Sequence, residues 1–432
     1  VYKPVETIEV RAWGKLVGAV ARDPRLGYYA FEYAPAFVKT GIELSPLEMP
    51  LREAQQPFIF PDLPELTYKR LPAMLADALP DDFGNSLINA WMAKQGVSPG
   101  NITALDRLAY MGKRSLGAME FKPVRGPRTK NTTAIILSKL VESVRRVVHG
   151  EIDDDPHAEA ALKQILSVGT SAGGARAKAA IAWNPKTNEI RAGQFDVEPG
   201  FEHWLLKFDG IGKDNELGES QGYGRIEYAY YLMAMQAGVE MSPCRLLEES
   251  GRAHFMTRRF DRDGNNKIHA QTLCGMAHLD YKAKGVHDYS QYLGTIRQLK
   301  LGQEAMDQAF RRIAFNVMAS NCDDHTKNLS FLLRNGKSWE LAPAYDVIYA
   351  YNPKGEWTYQ HLMSVNGKFN DIRRDDLMVL ADRFEIGSAN KILAQVGEAV
   401  AAWPKFAKQA GVSSDAVDRI GKNQMPKLAA VG

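Results

Sequence analysis

NCDDHTKNLSFLLRNGKSWELAPAYDVIYAY, residues 321–351, is the stretch whose reading decides the fold. Asp323 is followed five positions later by Asn328. That is the interval between base and metal ligand in the kinase catalytic loop H-R-D-x-x-x-x-N. LSFLL (329–333) and SWELA (338–342) are strand-like. Asn335-Gly336 between them is a strong hairpin signal, because both residues tolerate positive φ. A hairpin returns the chain beside its start and delivers Asp346 near Asn328. Moving a γ-phosphoryl group requires a carboxylate to orient and deprotonate a hydroxyl, and oxygen ligands to hold Mg²⁺ against the phosphates. Asp323 is assigned the first task, Asn328 and Asp346 the second. A hairpin between the two ligands supplies the rigidity that electrostatic preorganisation demands. A lone D-x-x-x-x-N is common in turns; the hairpin and the downstream Asp lift it above that.

Upstream pieces follow in chain order. GTSAGGARAK (169–178) contains Thr170, Ser171, Ala172, Gly173, Gly174 and Lys178, and lies between strand-like ILSVG (165–169) and AAIAW (179–183). Its glycines let backbone N–H groups approach phosphate oxygens, or the stretch is a surface turn, since it is neither G-x-G-x-x-G nor a P-loop. Lys207, in apolar WLLKF, either snorkels at a sheet edge or meets the α/β-phosphates. Glu227, near the start of a helix read over 225–237, either pairs with Lys207 or is an acid favoured in a first turn. MTRRF (256–260), with Thr257, Arg258, Arg259 and Phe260, stands where a hinge strand offers backbone groups to adenine. His325 either contacts nucleotide or holds the loop by hydrogen bonds. Lys327 either neutralises phosphate or is a solvated lysine.

The rest of the chain frames these motifs. Strands are expected at 8–13, 16–21 (with a turn at Gly14-Lys15) and 28–33, and helices at 71–79 and 83–95. Polar, basic KPVRGPRTKNTT (122–133) is the best domain boundary. An amphipathic helix over 134–148 follows, and Asp155-Pro156 starts another over 156–166. Strand text recurs at 189–193, 203–208, 253–260 and 267–273, the last two flanking the turn DRDGNN (261–266). Beyond about 287 the pattern is mostly helical, broken by the hairpin.

Composition bounds the function classes. The 432 residues carry 54 basic and 51 acidic side chains, net +3, with 45% hydrophobic and 24% charged. This is ordinary for a soluble globular protein. It gives no reason to expect a nucleic-acid coat and leaves a local basic patch open. The three cysteines lie far apart, against a disulfide framework or a Cys zinc site and in favour of a reducing, cytosolic compartment. No apolar run approaches the ~20 residues of a membrane span. VYKPVETIEV lacks a signal-peptide pattern, and with no initiator Met a few residues are expected to be missing from the start.

The ordered set resembles one family. D-x-H-x-K-N-x-S stands here as Asp323, His325, Lys327, Asn328 and Ser330, and Y-D-I/V as Tyr345-Asp346-Val347. A serine before G-G-A-R-x-K runs from Ser171 to Lys178, and E/R-R-F-D-R is Arg258, Arg259, Phe260, Asp261 and Arg262. LPD (79–81) and GKRSLGAMEF (112–121) complete it. The chain is similar to HipA-type serine/threonine kinases, toxins of bacterial type II toxin–antitoxin pairs.

The resemblance implies an α+β fold: a small N-terminal β-rich domain, 1–125, and a larger, mostly α-helical kinase-like domain, 126–432. It implies ATP and Mg²⁺ as cofactors, with Tyr345 and Gln271 joining Lys207, Thr257, Arg258, Arg259, Phe260, His325 and Lys327 at the nucleotide. It implies phosphorylation of serine or threonine on a protein (glutamyl-tRNA synthetase in the best-known branch), causing growth arrest and persistence. Silencing is by autophosphorylation, here at Ser171. The implied partners are a helix-turn-helix HipB-type antitoxin and, through that complex, operator DNA at the nucleoid. Two departures bear on the protein substrate more than on the chemistry: the family's P-Q-E-D run is AQTL (270–273), keeping Gln271, and position 324 is Asp where Gly is familiar. Two alternatives stay open. One is a small-molecule phosphotransferase using the same centre. The other is a non-catalytic co-repressor whose basic KFNDIRR (368–374) and GKNQMPK (421–427) touch phosphates, unless these are ordinary surface charge.

Overall fold

Thr7–Ala12 (β1) buries Ile8, Val10 and Ala12 and exposes Thr7 and Glu9, the alternation of a half-buried strand. Lys15–Arg22 (β2), Tyr29–Tyr33 (β3) and Met119–Lys122 (β4) join it in an antiparallel sheet of order β3-β2-β1-β4. The first turn is Trp13-Gly14, one residue earlier than expected, with φ of 50° and 75°. A two-residue turn that matches strand twist needs positive φ at both positions. Trp13 is held there by its indole N–H, which donates to Lys267 O at 2.8 Å.

The computed structural model describes residues 2–126, 135–148, 177–211, 213–214, 218–219 and 222–429. The expected helix over 156–166 and the glycine-rich residues Thr170, Ser171, Ala172, Gly173 and Gly174 lie outside them. Two units form: Val1–Gly212 with Arg258–Asp280 and Leu332–Ser338, and Lys213–Thr257 with Tyr281–Phe331 and Trp339–Gly432.

The first unit adds a second set of antiparallel strands, Lys178–Trp183 (β5) between Ile190–Ala192 (β6) and Glu202–Lys207 (β7). β5 is buried at every position. The helix expected over 71–79 shrinks to Ala73–Ala76, because Asp77 turns its carboxylate to the N–H (2.6 Å) and hydroxyl (2.8 Å) of Thr272. Asp81 caps helix Asp82–Ala93 by accepting from Gly84 N at 2.7 Å, and its other oxygen lies 3.3 Å from Lys178 Nζ, both side chains buried. Burial pushes the Asp81 carboxyl up to about 6, against the pull of Lys178 and Gly84. The folded value then exceeds the unfolded one, so ionised Asp81 costs stability above pH 6. That cost is relieved as pH falls from about 6 towards 4. Asp81→Asn is expected to remove this upward contribution from the Tm–pH profile; an identical slope in wild type and variant between pH 7 and 4 would exclude it.

The second unit is mainly helical, with a hairpin of Cys244–Glu249 and Arg252–Arg258. Helix Gln303–Met318 packs on Ala389–Ala401, and helix Tyr223–Gln236 on Trp403–Ala410. Tyr230 ties them together: its ring meets Phe315 and Trp403, and its hydroxyl donates to Ala319 O at 2.6 Å. The mostly helical expectation beyond 287 fails over 342–373, which is largely irregular apart from a short parallel pairing of His287-Asp288 with Met363-Ser364. Among the described residues no helix is long and apolar enough to cross a membrane.

Candidate active site

Helix Gln303–Met318 ends where the decisive stretch begins. Ser320 turns the chain with φ of 55°. Its hydroxyl donates to Asn423 O at 2.5 Å, and its carbonyl accepts from Ala350 N at 3.1 Å. Residues 321–325 then run without ladder hydrogen bonds into the short turn Thr326–Asn328. Asn328 N donates to His325 O at 2.9 Å, and Asn328 Nδ2 to Asp323 O at 2.7 Å. The amide nitrogen is thereby used inside the loop, and Oδ1 is the atom left for a cation. The Asp323 side chain is 48% exposed, open to an acceptor, with His325 Nε2 3.8 Å from its Oδ1. Tyr281 backs the loop, 5.3 Å from the His325 ring and 4.9 Å below Lys327 Nζ.

The chain returns through Ser330–Leu333 and Trp339–Leu341, with Ala342 N donating to Ser330 O at 3.0 Å. The turn falls on Asn335-Gly336 as expected, within the loop Arg334–Ser338 that joins the two strands. Only Gly336 of the pair is left-handed (φ 73°), and the turn closes from Lys337 N to Arg334 O. Tyr345 OH then donates to Lys327 O at 2.5 Å and lies 2.5 Å from Ser330 Oγ, stitching the return to the loop. Asp346 follows with φ of 52°, a conformation few non-glycine residues adopt and one that clusters at functional sites. Asn328 and Asp346, with Asn321 and Asp324, line one cavity of about 20 Å³. The two assigned metal ligands are thus brought together, and their hard oxygens suit Mg²⁺.

Asp324, noted in the sequence only as a departure, is a centre of this loop. It is buried and accepts from Tyr289 OH (2.7 Å), His361 Nδ1 (2.8 Å) and Leu362 N (2.7 Å). Burial pushes the His361 imidazole down, but Asp324 and Cys322 reverse this and hold it well above its usual value. Sequence reasoning assigned neither His361 nor Tyr289; the only signal was a second acid directly after Asp323.

The other assigned residues lie as follows. Lys207 ends β7, opposite Lys178 in register. Glu227 is buried in helix Tyr223–Gln236, in the other unit. Thr257 and Arg258 end strand Arg252–Arg258 and lead into Phe260, half-buried. Arg259 donates through its backbone to His203 O at 2.9 Å and through its guanidinium to Asp261, so its side chain is committed to that carboxylate. Gln271, in strand His269–Thr272, is 1% exposed, with neither amide atom hydrogen-bonded among the described residues. In the basic segment 368–374, Lys368 pairs with Asp376 at 2.9 Å and Arg374 with Asn390.

Fold and site together define a kinase-like phosphotransferase. A family model of the HipA N-terminal domain matches residues 8–122, and one of the HipA-like C-terminal domain matches residues 170–403. The chain belongs to the HipA family of serine/threonine kinases, which use ATP and form the toxin side of toxin–antitoxin systems. No curated protein matches it. Among solved structures it resembles a chain of the Shewanella oneidensis MR-1 toxin–antitoxin complex of HipA, HipB and operator DNA. The identity is 16%, over 98% of this chain and 95% of that one, with a TM-score of 0.66, a likeness of fold. The Helicobacter pylori proinflammatory kinase CtkA is far less similar, with 12% identity, 60% of this chain, 91% of that one and a TM-score of 0.36.

Proposed function

We propose that the chain phosphorylates a protein hydroxyl with Asp323 as base and Asn328 and Asp346 as the Mg²⁺ ligands. The supporting observation is the Asn328 amide: its nitrogen is used on Asp323 O, so its oxygen is left for the cavity it shares with Asp346. Mg²⁺ held by Asn328 and Asp346 would offset the negative charge of the transferring phosphoryl group. The protein's own residues do the rest. Asp323 orients the acceptor hydroxyl and takes its proton. His325 stands beside that carboxylate, and Tyr345 fixes the loop that carries both.

The substrate class is a protein serine or threonine, an aminoacyl-tRNA synthetase in the reading drawn from the family, with growth arrest as the outcome. Ser171 is the proposed self-phosphorylation site and off-switch. The proposed partners are a helix-turn-helix antitoxin and, with it, operator DNA, in the bacterial cytoplasm. The proposed domain division stays near residue 125; the two family matches leave 123–169 between them. Purified chain with γ-labelled ATP and Mg²⁺ is expected to label itself, with most of the label lost in Ser171→Ala. Equal labelling of wild type and Asp323→Asn would reject the reading. Turnover of a metabolite with no protein labelled in lysate would shift it to a small-molecule phosphotransferase.

A further inference from the structure

Burial alternates along the catalytic loop. Cys322, Asp324 and Thr326 point inward and are buried, while Asp323, His325 and Lys327 are partly exposed. In an extended stretch successive side chains take opposite sides, so what grips the inward residues sets where the outward ones point. Residues 321–325 have no ladder hydrogen bonds to fix them. Apart from Asn321 N on Asn316 O and Asn328 N on His325 O, the anchors among the described residues are side chains, and Asp324 alone makes three such bonds.

Its three bonds reach two different elements. Tyr289 OH belongs to the first turn of helix Tyr289–Gln298, and accepts in turn from Asn316 Nδ2 at 3.0 Å. Asn316 Oδ1 accepts from Asn321 Nδ2 at 2.9 Å, closing a network on the loop itself. His361 Nδ1 and Leu362 N belong to the irregular segment that follows Asp346. That segment is held independently: Ser364 Oγ donates to Asp288 Oδ2 at 2.6 Å, Gly367 N to the same oxygen at 3.2 Å, and His361 N to Phe369 O at 2.9 Å. His361 is therefore fixed from its own side, and Asp324 is fixed by it.

We propose that Asp324 and His361 form a positioning clamp: their ion pair sets the direction of Asp323, so losing either charge slows transfer while leaving nucleotide binding intact. The clamp rests on the assignment of Asp323 as base. Neither residue is assigned as base or Mg²⁺ ligand, and Asp324 lines the same cavity as Asn328 and Asp346. Buried charge-assisted bonds of this kind are short and directional, and displacement of a reacting group by about 1 Å costs roughly 10²-fold in rate.

The test uses the full chain, γ-labelled ATP for transfer and a fluorescent ATP analogue with Mg²⁺ for binding. Asp324→Asn and His361→Gln are expected to lower label transfer by about 10- to 100-fold, with nucleotide affinity within twofold of wild type. Each single change leaves a lone buried charge, so Asp324→Asn/His361→Gln is made as well. It removes both charges, is expected to fold, and is expected to remain at least about tenfold slow with affinity retained. Wild-type transfer by the folded double variant overturns the clamp, as does affinity that falls in step with rate. Asp323→Asn is run alongside: full transfer there sinks the base assignment, whereas a dead Asp323→Asn beside an active double variant sinks only the clamp.

Discussion

Asp323→Asn is expected to lower phosphoryl transfer by about 10²- to 10⁴-fold, the usual contribution of a positioned general base. Nucleotide affinity and thermal stability should stay near wild type. The reason lies in how the residue is held. Its backbone carbonyl anchors the Asn328 amide at 2.7 Å, and an Asn substitution leaves that carbonyl in place. The side chain is 48% exposed, so replacing the carboxylate removes little packing. The loss should therefore appear in kcat with little change in KM for ATP. That is the pattern of an interaction made in the transition state. Asp346→Asn should behave differently, weakening the dependence of binding on Mg²⁺, because it loses a hard anionic ligand. Single-turnover transfer with γ-labelled ATP, alongside binding of a fluorescent analogue, separates the two. A drop in affinity that accounts for the whole rate loss in Asp323→Asn would mean that the residue binds rather than accepts a proton.

The core of this site was legible because its parts are local in sequence. Asp323 and Asn328 fall within one loop, and Asp346 is returned by a hairpin marked by Asn335-Gly336. What stayed hidden depends on distant partners. Asp324 acquires its role from His361, 37 positions on, and no spacing rule links an acid in a loop to a histidine in irregular chain. Arg258, Arg259 and Phe260 read as a hinge that greets adenine. The side chain of Arg259 turns inward to the carboxylate of Asp261, which is itself held by Gly117 N, 144 positions earlier. The N-terminal sheet was legible by alternation, yet its first turn slipped by one residue, since the indole bond that holds Trp13 left-handed is formed with Lys267. The stretch 342–373 carries apolar residues that suggest helix, but Pro353, Gly355 and Gly367 break the pattern and side chains such as Asp288 and Asp324 organise it instead.

The largest stability effect is expected at Asp261, where a family motif proves to be a buried charge cluster. Asp261 is fully buried. Oδ2 accepts from Arg259 Nη2 at 2.7 Å, Arg262 Nη1 at 2.7 Å and Gly117 N at 2.8 Å, while Oδ1 accepts from Arg259 Nε at 2.9 Å. Burial alone raises such a carboxyl, but the two guanidinium groups overturn this and hold it far below the usual carboxylate range. Burial, with Arg259 nearby, brings Arg262 down to about 10. The backbone fits as closely: Gly117 has φ of 80°, and a Cβ there would meet Ala270 N at 2.8 Å. Asp261→Ala strips the shared anion from two buried cations, and breaking a buried pair from one side costs about 3–5 kcal/mol. Arg262→Met placed on Asp261→Ala should recover part of that loss, since it removes one stranded charge. The pH dependence has a definite sign. The folded value lies below the unfolded 3.8, so the contribution is complete above about pH 4 and is lost only as pH falls through the folded value. Urea midpoints of wild type and Asp261→Ala should therefore differ by a constant amount from pH 8 to 5 and converge only in stronger acid. A difference that vanishes near pH 6, or a double variant no more stable than the single, would show that the cluster is not held by charge.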